Sequence, residues 1–281
     1  MKEAVIIVRY EYDSDFLLDK IQKISLKYPV YIYDNSKVPM VCNVDNVFYL
    51  HDGNNSGLPS AINKCVLQAL SDDVNVCVYF DQDSELDLGV INGLFSSYRE
   101  QKSKNAKVFA LGPQPMRSDM EYPVNKRYEL SSGVFIAREI ITSGMTFSPK
   151  DVAKIGYFNA SMFMDVFDFE MCWRATKSGM LVLIDSRVKM HHVVGDNTIV
   201  LPFKIIPISS PLRNYYQIRN MLFLLIYSDQ RSLFRVGCYL LRRLCNIVLN
   251  MLFADQRVLR LKYNMLGIRD AFKKKMGKLT S

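Results

Sequence analysis

The stretch VNVCVYFDQDS, residues 74–84, decides the fold. Its first seven residues form an apolar, largely β-branched and aromatic run of one strand's length, as parallel strands buried on both faces do. Polarity then changes abruptly, and Asp81 and Asp83 stand one residue apart where the strand runs out. Outward from there, AVIIVRY (4–10) and VYIYDNS (30–36) read as further strands, the second ending in turn formers, and a short strand is expected around Val47 to Leu50. Between them, DSDFLLDKIQKISLKY (13–28) carries apolar residues at helical spacing after an Asp/Ser start, and HDGNNSGLPSAINKCVLQAL (51–70) runs from a Gly/Asn loop into a helix. This alternation predicts an open α/β sheet with right-handed crossovers. Ligands of such sheets collect beyond the carboxyl ends of the strands, where Asp34-Asn35-Ser36 and Asp81 to Ser84 fall.

The middle of the chain is less regular. VFALGP (108–113) and YELSSGVFIARE (128–139) read as strands flanking a Gly/Pro-rich loop, and FNASMFMDVFDFEMCWRATKSGM (158–180) as a helix stopped by Gly179. LVLIDS (181–186) is another strand, leading to KMHHVVGDN. From about Ser209 the pattern is helical. Arg235, Arg242, Arg243, Asn246 and Asn250 share a narrow stripe on an otherwise apolar helix that includes Leu233 and Leu252, and a basic stretch from Arg257 to Lys278 follows. The expected division is a catalytic domain over 1–208 and a basic amphipathic helical region over 209–281.

Composition narrows the function classes. Of the 281 residues, 49% are hydrophobic and 23% charged, enough to bury a core and to exclude a disordered chain. No stretch reads as a secretory leader, and no apolar run reaches the roughly eighteen residues a spanning helix needs. Six scattered cysteines without a CxxC pair suit a reducing cytosol and give no zinc site. The net charge of +8 is uneven: residues 1–210 hold 22 Lys and Arg against 25 acids, and residues 211–281 hold 14 against 3. A tail of that sign faces a polyanion, whether nucleic acid, phospholipid surface or phosphorylated substrate.

Several constellations can carry chemistry. In an extended segment Asp81 and Asp83 point to the same side, and two like charges that close call for a cation between them. Mg²⁺ or Mn²⁺ on a diphosphate meets that need; a solvated acidic turn is the plainer alternative. Asp34 can accept from a pyrimidine imide or simply close an Asx turn. Asn55, Gly57 and Asn63 put a close-approach glycine at a helix start, which suits a ribose–phosphate but also an ordinary cap. Asp165, Asp168 and Glu170 sit among Phe and Met, where a carboxylate can serve as general base. Glu170 is expected to pair with Arg174 four residues on, leaving Asp168 for chemistry. Of His191 and His192, the second is a candidate third metal ligand.

In this order the motifs resemble the family 2 inverting glycosyltransferases of the GT-A fold: Asp34-Asn35-Ser36, Asn55-x-Gly57 with Asn63, DQDS (81–84), Ser132-Gly133, VFDFEMCWRATKSGM (166–180) and His192-x-x-Gly195. DQDS, the D-x-x-D-x-E-x-C-x-R segment from Asp165 to Arg174 and PLRNYYQIRN (211–220) are similar, more narrowly, to bacterial rhamnosyltransferases of O-antigen and capsule assembly. The likeness covers roughly residues 4 to 225. It implies a mixed GT-A sheet flanked by helices, and a nucleotide contact set of Arg9, Asp34, Asn55, Gly57, Asn63 and Asp81. It further implies a metal, Mg²⁺ or Mn²⁺, on Asp83 with Asp81 and His192, and Asp168 as the base with Asp165 as its substitute. Ser132, Gly133, Arg213 and Arg219 are expected at the acceptor and diphosphate.

The expected reaction moves a sugar, L-rhamnose from dTDP-rhamnose or a hexose from a UDP-sugar, with inversion. Its acceptor is a saccharide, lipid-linked through polyprenyl diphosphate. The expected location is the cytoplasmic face of an anionic membrane, held peripherally by the tail. Two other classes compete. A nucleotidyltransferase would show a Gly-rich basic loop after the first strand, and RYEYDSD has none. A nucleic-acid-binding protein fits the tail's charge, but its cations lie between aliphatic runs rather than beside stacking aromatics, so no nucleic-acid partner is expected.

Overall fold

The computed structural model describes residues 1–117, 120–121, 124, 126–191, 197–201, 204–227, 237–238, 241–242, 244–245, 247–249 and 254–279; within it, 117, 120, 197–201 and 204–208 are described by backbone only. The chain forms two compact units, one of Met1–Ala160 with Phe167–His192 and one of Ser161–Val166 with Val193–Ser281.

In the first unit, β1 (Glu3–Arg9), β2 (Val30–Asp34), β3 (Val47–His51) and β4 (Val76–Asp81) pair in parallel in the order β3-β2-β1-β4. The sheet then continues through β9 (Thr146–Phe147), antiparallel to both neighbours, to β5 (Val108–Arg117) and β10 (Leu181–His191). It ends in the antiparallel strands β8 (Val134–Ala137) and β7 (Lys126–Ser131), with β6 (Met120–Glu121) paired to β5. This mixed sheet is the expected one.

Local sequence sets the helices. Asp13 caps α1 (Ser14–Ser25) through Phe16 N, and Asp87 caps α3 (Leu88–Lys104) through Val90 N. α2 (Leu58–Ser71) starts at Gly57, whose φ of 84° suits glycine, with Pro59 in its first turn. Leu17, Ile21 and Ile24 of α1 and Ile91, Leu94 and Phe95 of α3 share the core with Val5, Ile7, Val78 and Phe80 of the sheet. Each such side chain contributes about 1.5–3 kcal/mol of burial, so the strands that carry Asp34 and Asp81 form a rigid platform.

Two middle elements differ from expectation. Residues 128–139 are not one strand but the hairpin β7–β8, reversed at Ser132-Gly133 because Gly133 takes a φ of 75°. The helix expected over 158–180 is α5 (Phe167–Lys177), preceded by a 3₁₀ turn at Ala160–Met162. Phe163, Asp165 and Val166 have φ of 64°, 57° and 70°, and left-handed residues cannot continue an α-helix. Helical periodicity in the sequence ran across a break that only the backbone reveals.

The second unit contains the hairpin of β11 (Asn197–Leu201) and β12 (Lys204–Ile208), followed by α6 (Pro211–Tyr227) and α7 (Arg257–Phe272). α6 and α7 pack closely at Gly267: a Cβ there would lie 2.4 Å from Ile218 Cγ2 and 2.7 Å from the Tyr215 carbonyl. Of the expected polar stripe, Arg242 is exposed, while Arg235, Arg243, Asn246 and Asn250 lie outside the described residues. Among the described residues no helix is long and apolar enough to cross a membrane.

Candidate active site

Register brings the strand ends together. Arg9 lies beside Asp34, Val8 beside Asp81, and Asp34 beside His51. With strands about 4.8 Å apart, Asp34 and Asp81 stand two strand spacings from each other on one carboxyl edge.

The DQDS turn is anchored at three of its four residues. Tyr79 donates its hydroxyl to Asp81 Oδ1 at 2.8 Å, and burial first, then the charges of Asp81 and Asp83, pushes that phenol far above its ordinary range. Gln82 clamps the exit of β1, accepting from Tyr10 N at 2.6 Å and donating to the Tyr10 carbonyl at 3.2 Å. Ser84 is buried, with its Oγ 2.7 Å from Ser143 Oγ. Asp83 is the exposed member, and its carboxylate accepts no hydrogen bond among the described residues. The turn holds Asp83 outward on a fixed base.

Asp34 and Arg9, expected as nucleotide contacts, face inward. Asp34 is wholly buried. Its Oδ2 accepts from Arg9 Nη1 at 2.7 Å and Tyr49 OH at 2.6 Å, and its Oδ1 accepts from Ser36 N at 2.9 Å. Burial opposes its charge, but hydrogen bonds from Ser36, Tyr49 and Arg9 outweigh it and hold the carboxyl below its usual range. Arg9 spends its other nitrogens on the Tyr12 carbonyl and on Ser14 Oγ. With its oxygens so engaged, Asp34 offers no free face to a pyrimidine in this conformation; the pair fixes the edge instead.

The N-x-G-x(5)-N residues divide likewise. Asn55 Oδ1 accepts from Gly57 N at 3.0 Å, shaping the start of α2. Asn63 donates to the Phe158 carbonyl at 2.8 Å and accepts from Phe158 N at 2.9 Å, so both ends of its amide are committed to the backbone. That structural clamp replaces the nucleotide contact expected of Asn63. Ser132 and Gly133 form the β7–β8 turn, where a Cβ on Gly133 would meet Arg187 Cγ at 2.7 Å, and the Gly133 carbonyl accepts from Ser186.

Asp168 opens α5. Its Oδ2 accepts from Thr142 Oγ1 at 2.8 Å and its Oδ1 from Phe169 N at 2.9 Å. Thr142 and Ser143 are therefore adjacent residues that hold, respectively, Asp168 and the DQDS turn. Two motifs some 85 positions apart in the sequence are joined through one short loop. Glu170 and Arg174 form the expected pair, two hydrogen bonds at 2.9 and 2.8 Å, with Arg174 also donating to the Ile155 and Tyr157 carbonyls.

The second unit holds the remaining candidates. Asp165 accepts from Arg213 Nη2 at 2.7 Å and Nε at 3.3 Å, and from Gln217 Nε2 at 3.3 Å. Both oxygens of Asp165 are thus held by side chains of α6. Arg219, expected at the diphosphate, is wholly buried: it donates to the Met162 and Gly277 carbonyls and to Asn220 Oδ1, and lies against the Tyr215 and Tyr216 rings. No substrate reaches it there, so its role is structural. His192 lies outside the described residues.

No cluster of three or more metal-ligating side chains occurs among the described residues, as a closed all-protein site would need. One or two carboxylates with substrate phosphates suffice for Mg²⁺ or Mn²⁺, and outward Asp83 beside Asp81 fits that open arrangement. Sequence reasoning missed Tyr79, Tyr49, Thr142 and Ser143. Tyr79 lies only two residues before Asp81 on the same strand, whereas the roles of Tyr49, Thr142 and Ser143 come from hydrogen bonds between distant parts of the sequence, and nothing local pairs Ser84 with Ser143.

No family model matches the chain. The chain is similar to the dTDP-rhamnosyl transferase RfbF of Shigella flexneri, 29% identical over 197 residues that cover 66% of this chain and 65% of that protein. It thus spans slightly less than two thirds of that relative's length. Among solved structures it is similar to GalNAc-T7 with UDP, GalNAc and Mn²⁺, at a TM-score of 0.56 and 12% identity, covering 80% of this chain and 47% of that one. S. aureus TarS is similar at a TM-score of 0.52 and 14% identity, covering 91% of this chain and 44% of TarS. The mixed sheet and these likenesses give the chain the GT-A fold of glycosyltransferases.

Proposed function

We propose that this chain is a glycosyltransferase that moves L-rhamnose from dTDP-rhamnose, with inversion, onto a saccharide acceptor in bacterial surface polysaccharide synthesis. The observation that carries the reading is the Thr142-Ser143 loop, which fixes an outward acidic turn and the carboxylate of Asp168 from neighbouring residues. The similarity to a dTDP-rhamnosyl transferase supports the donor.

Asp83, with Asp81, would hold Mg²⁺ or Mn²⁺ through carboxylate oxygens, and the bound ion supplies positive charge against the developing negative charge of a leaving diphosphate. The strand-end edge fixed by Arg9 and Asp34, with Asn55 and Gly57 at the start of α2, lines the nucleotide side. Ser132 and Gly133 lie on the acceptor side. Asp168 takes the proton of the acceptor hydroxyl as its oxygen bonds to the anomeric carbon and the bond from that carbon to the diphosphate oxygen breaks. Thr142 and the α5 backbone keep Asp168 oriented for that transfer. A single displacement of this kind inverts the anomeric centre. The acceptor in this reading is carried on polyprenyl diphosphate, and the enzyme sits peripherally on the cytoplasmic face of the membrane.

A thermal-shift screen of dTDP- and UDP-sugars with and without Mn²⁺ tests the donor, because a ligand that binds only the folded state raises Tm. A Mn²⁺-dependent rise with dTDP-rhamnose is expected. A rise with UDP-hexoses alone would transfer the reading to a hexosyl donor, and no rise with any nucleotide sugar would refute it.

A further inference from the structure

α7 is built inside out. Its buried face carries Arg260, Asn264 and Asp270, only 4%, 3% and 3% exposed, beside the small residues Gly267 and Ala271. Tyr263 and Leu266 are half-buried against Phe163, Tyr215 and Tyr216, but a set of large apolar side chains stands outside: Val258 is 84% exposed, Met265 58% and Phe272 61%. At 100° per residue, Leu261, Phe272, Met265, Val258, Arg269 and Lys262 fall within an arc of roughly 100°. An ordinary surface helix of a globular protein shows the reverse arrangement.

The buried polar groups are satisfied in ways that fix this orientation. Arg260 donates to the carbonyls of Asp255 and Ser209 and to Asp255 Oδ1, and Asp270 accepts from Tyr215 OH and from Arg269. Gly267 admits α6 closely on the same inward face. Rotating the helix to hide its apolar stripe would break these bonds and drive side chains into α6. The outward apolar face is therefore part of the fold.

Charge identifies what covers it. The helix has one acid, Asp270, and that acid is buried. Arg257, Lys262 and Arg269 flank the stripe, and Lys273, Lys274 and Lys275 follow its end, all exposed. Two copies of this face would bring these cations against each other, which disfavours self-association. An apolar stripe rimmed by long cationic side chains fits an anionic lipid surface, with the aliphatic groups at the acyl boundary and the cations reaching up to phosphate headgroups.

We propose that the outer face of Arg257–Phe272 is the membrane-docking surface of this protein and that it selects anionic bilayers. The proposal refines the peripheral location stated above and rests on it, but not on the transfer reaction.

Co-sedimentation of the full chain with vesicles tests it, using phosphatidylcholine alone and phosphatidylcholine with 30% phosphatidylglycerol. Binding is expected only to the anionic vesicles and should weaken at least tenfold in Val258→Glu/Met265→Glu and in Lys273→Gln/Lys274→Gln/Lys275→Gln. These positions are exposed, so circular dichroism and Tm should stay unchanged, as should transfer to a soluble acceptor. Wild-type binding that neither set of substitutions reduces, or no binding to anionic vesicles at all, would overturn the proposal. So would a wild-type dimer that Val258→Glu/Met265→Glu dissolves, since a second copy would then be the occupant. Loss of transfer to the soluble acceptor in the wild type would count against the catalytic reading and leave this one standing.

Discussion

At the scale of single residues, the proposed reaction divides its chemistry between Asp83 on the donor side and Asp168 on the acceptor side, and substitution separates them. Asp83→Ala is expected to abolish Mn²⁺-dependent stabilisation by the nucleotide sugar. Asp168→Asn is expected to keep that stabilisation while slowing transfer by about 10²–10⁴-fold, the usual worth of a general base. Calorimetric donor titration and a transfer assay on both variants check this; normal turnover in Asp168→Asn would remove the base assignment. Asp34 makes a prediction of a different kind. Removing one partner of a buried ion pair costs about 3–5 kcal/mol, so Asp34→Ala, which strands Arg9, should lower stability by that order in urea denaturation. Because the folded carboxyl titrates below its ordinary value of 3.8, its stabilisation is complete above that pH and is lost as pH falls through the folded value. The wild type should therefore lose this stabilisation on acidification from about pH 4 downward, and Asp34→Asn should lose less over the same range. Asp34 was legible in the sequence as a strand-end carboxylate, but its partners Arg9 and Tyr49 come from other strands. Residue type at a strand end announces a site, while whether a side chain faces ligand or core is decided by neighbours in space.

At the scale of elements, strands β1 to β4 and helices α1 and α2 were legible because their apolar spacing and the turn formers that bound them agree with one another, whereas α3 (Leu88–Lys104) was not read from the sequence. The segment from Ala160 to Val166 was not, since Phe163, Asp165 and Val166 leave the helical region without any Gly or Pro to mark it. Left-handed non-glycine residues cost about 1–2 kcal/mol each, and this strain is offset by Asn220, whose amide donates to the carbonyls of Met162, Met164 and Asp165. The inward face of α7 was equally hidden, because residues 257–278 read only as a basic stretch, and nothing in that pattern tells that Arg260, Asn264 and Asp270 are buried. Gly267 tests the packing that forces this arrangement. Gly267→Ala puts a methyl within 2.4 Å of Ile218 Cγ2 and 2.7 Å of the Tyr215 carbonyl, and the backbone atom cannot move aside as a side chain would. Overpacking of this sort costs roughly 1–3 kcal/mol, despite alanine's better helix propensity. A denaturation midpoint equal to or above the wild type's would show that α6 and α7 pack less tightly than 2.7 Å implies.

At the scale of the whole molecule, the chain crosses between its two units and back: it leaves the first after Ala160, contributes Ser161–Val166 to the second, and returns at Phe167. A sequence-based boundary at 208/209 treats the tail as an appendage, but the tail supplies the partners of that crossing segment. Arg213 and Gln217 hold the Asp165 carboxylate, Arg219 and Asn220 hold the Met162 carbonyl, and Gly277 N donates to the Ser161 carbonyl at 2.6 Å. A chain ended at residue 208 loses all of these while keeping β1 to β4, the DQDS turn and the Thr142-Ser143 loop. Its strained residues then have nothing to offset them, and Asp168 lies only two positions beyond Val166. Truncation at 208 is therefore expected to preserve donor binding by thermal shift, to open protease cleavage within 161–166, and to lower transfer at least tenfold even with a soluble acceptor. Unchanged transfer without new cleavage would mean that the crossing segment keeps its conformation unaided, and that the tail plays no part in transfer. If the expected result holds, loss of activity on deleting the tail cannot by itself report membrane attachment, and only surface substitutions on α7 separate the two roles.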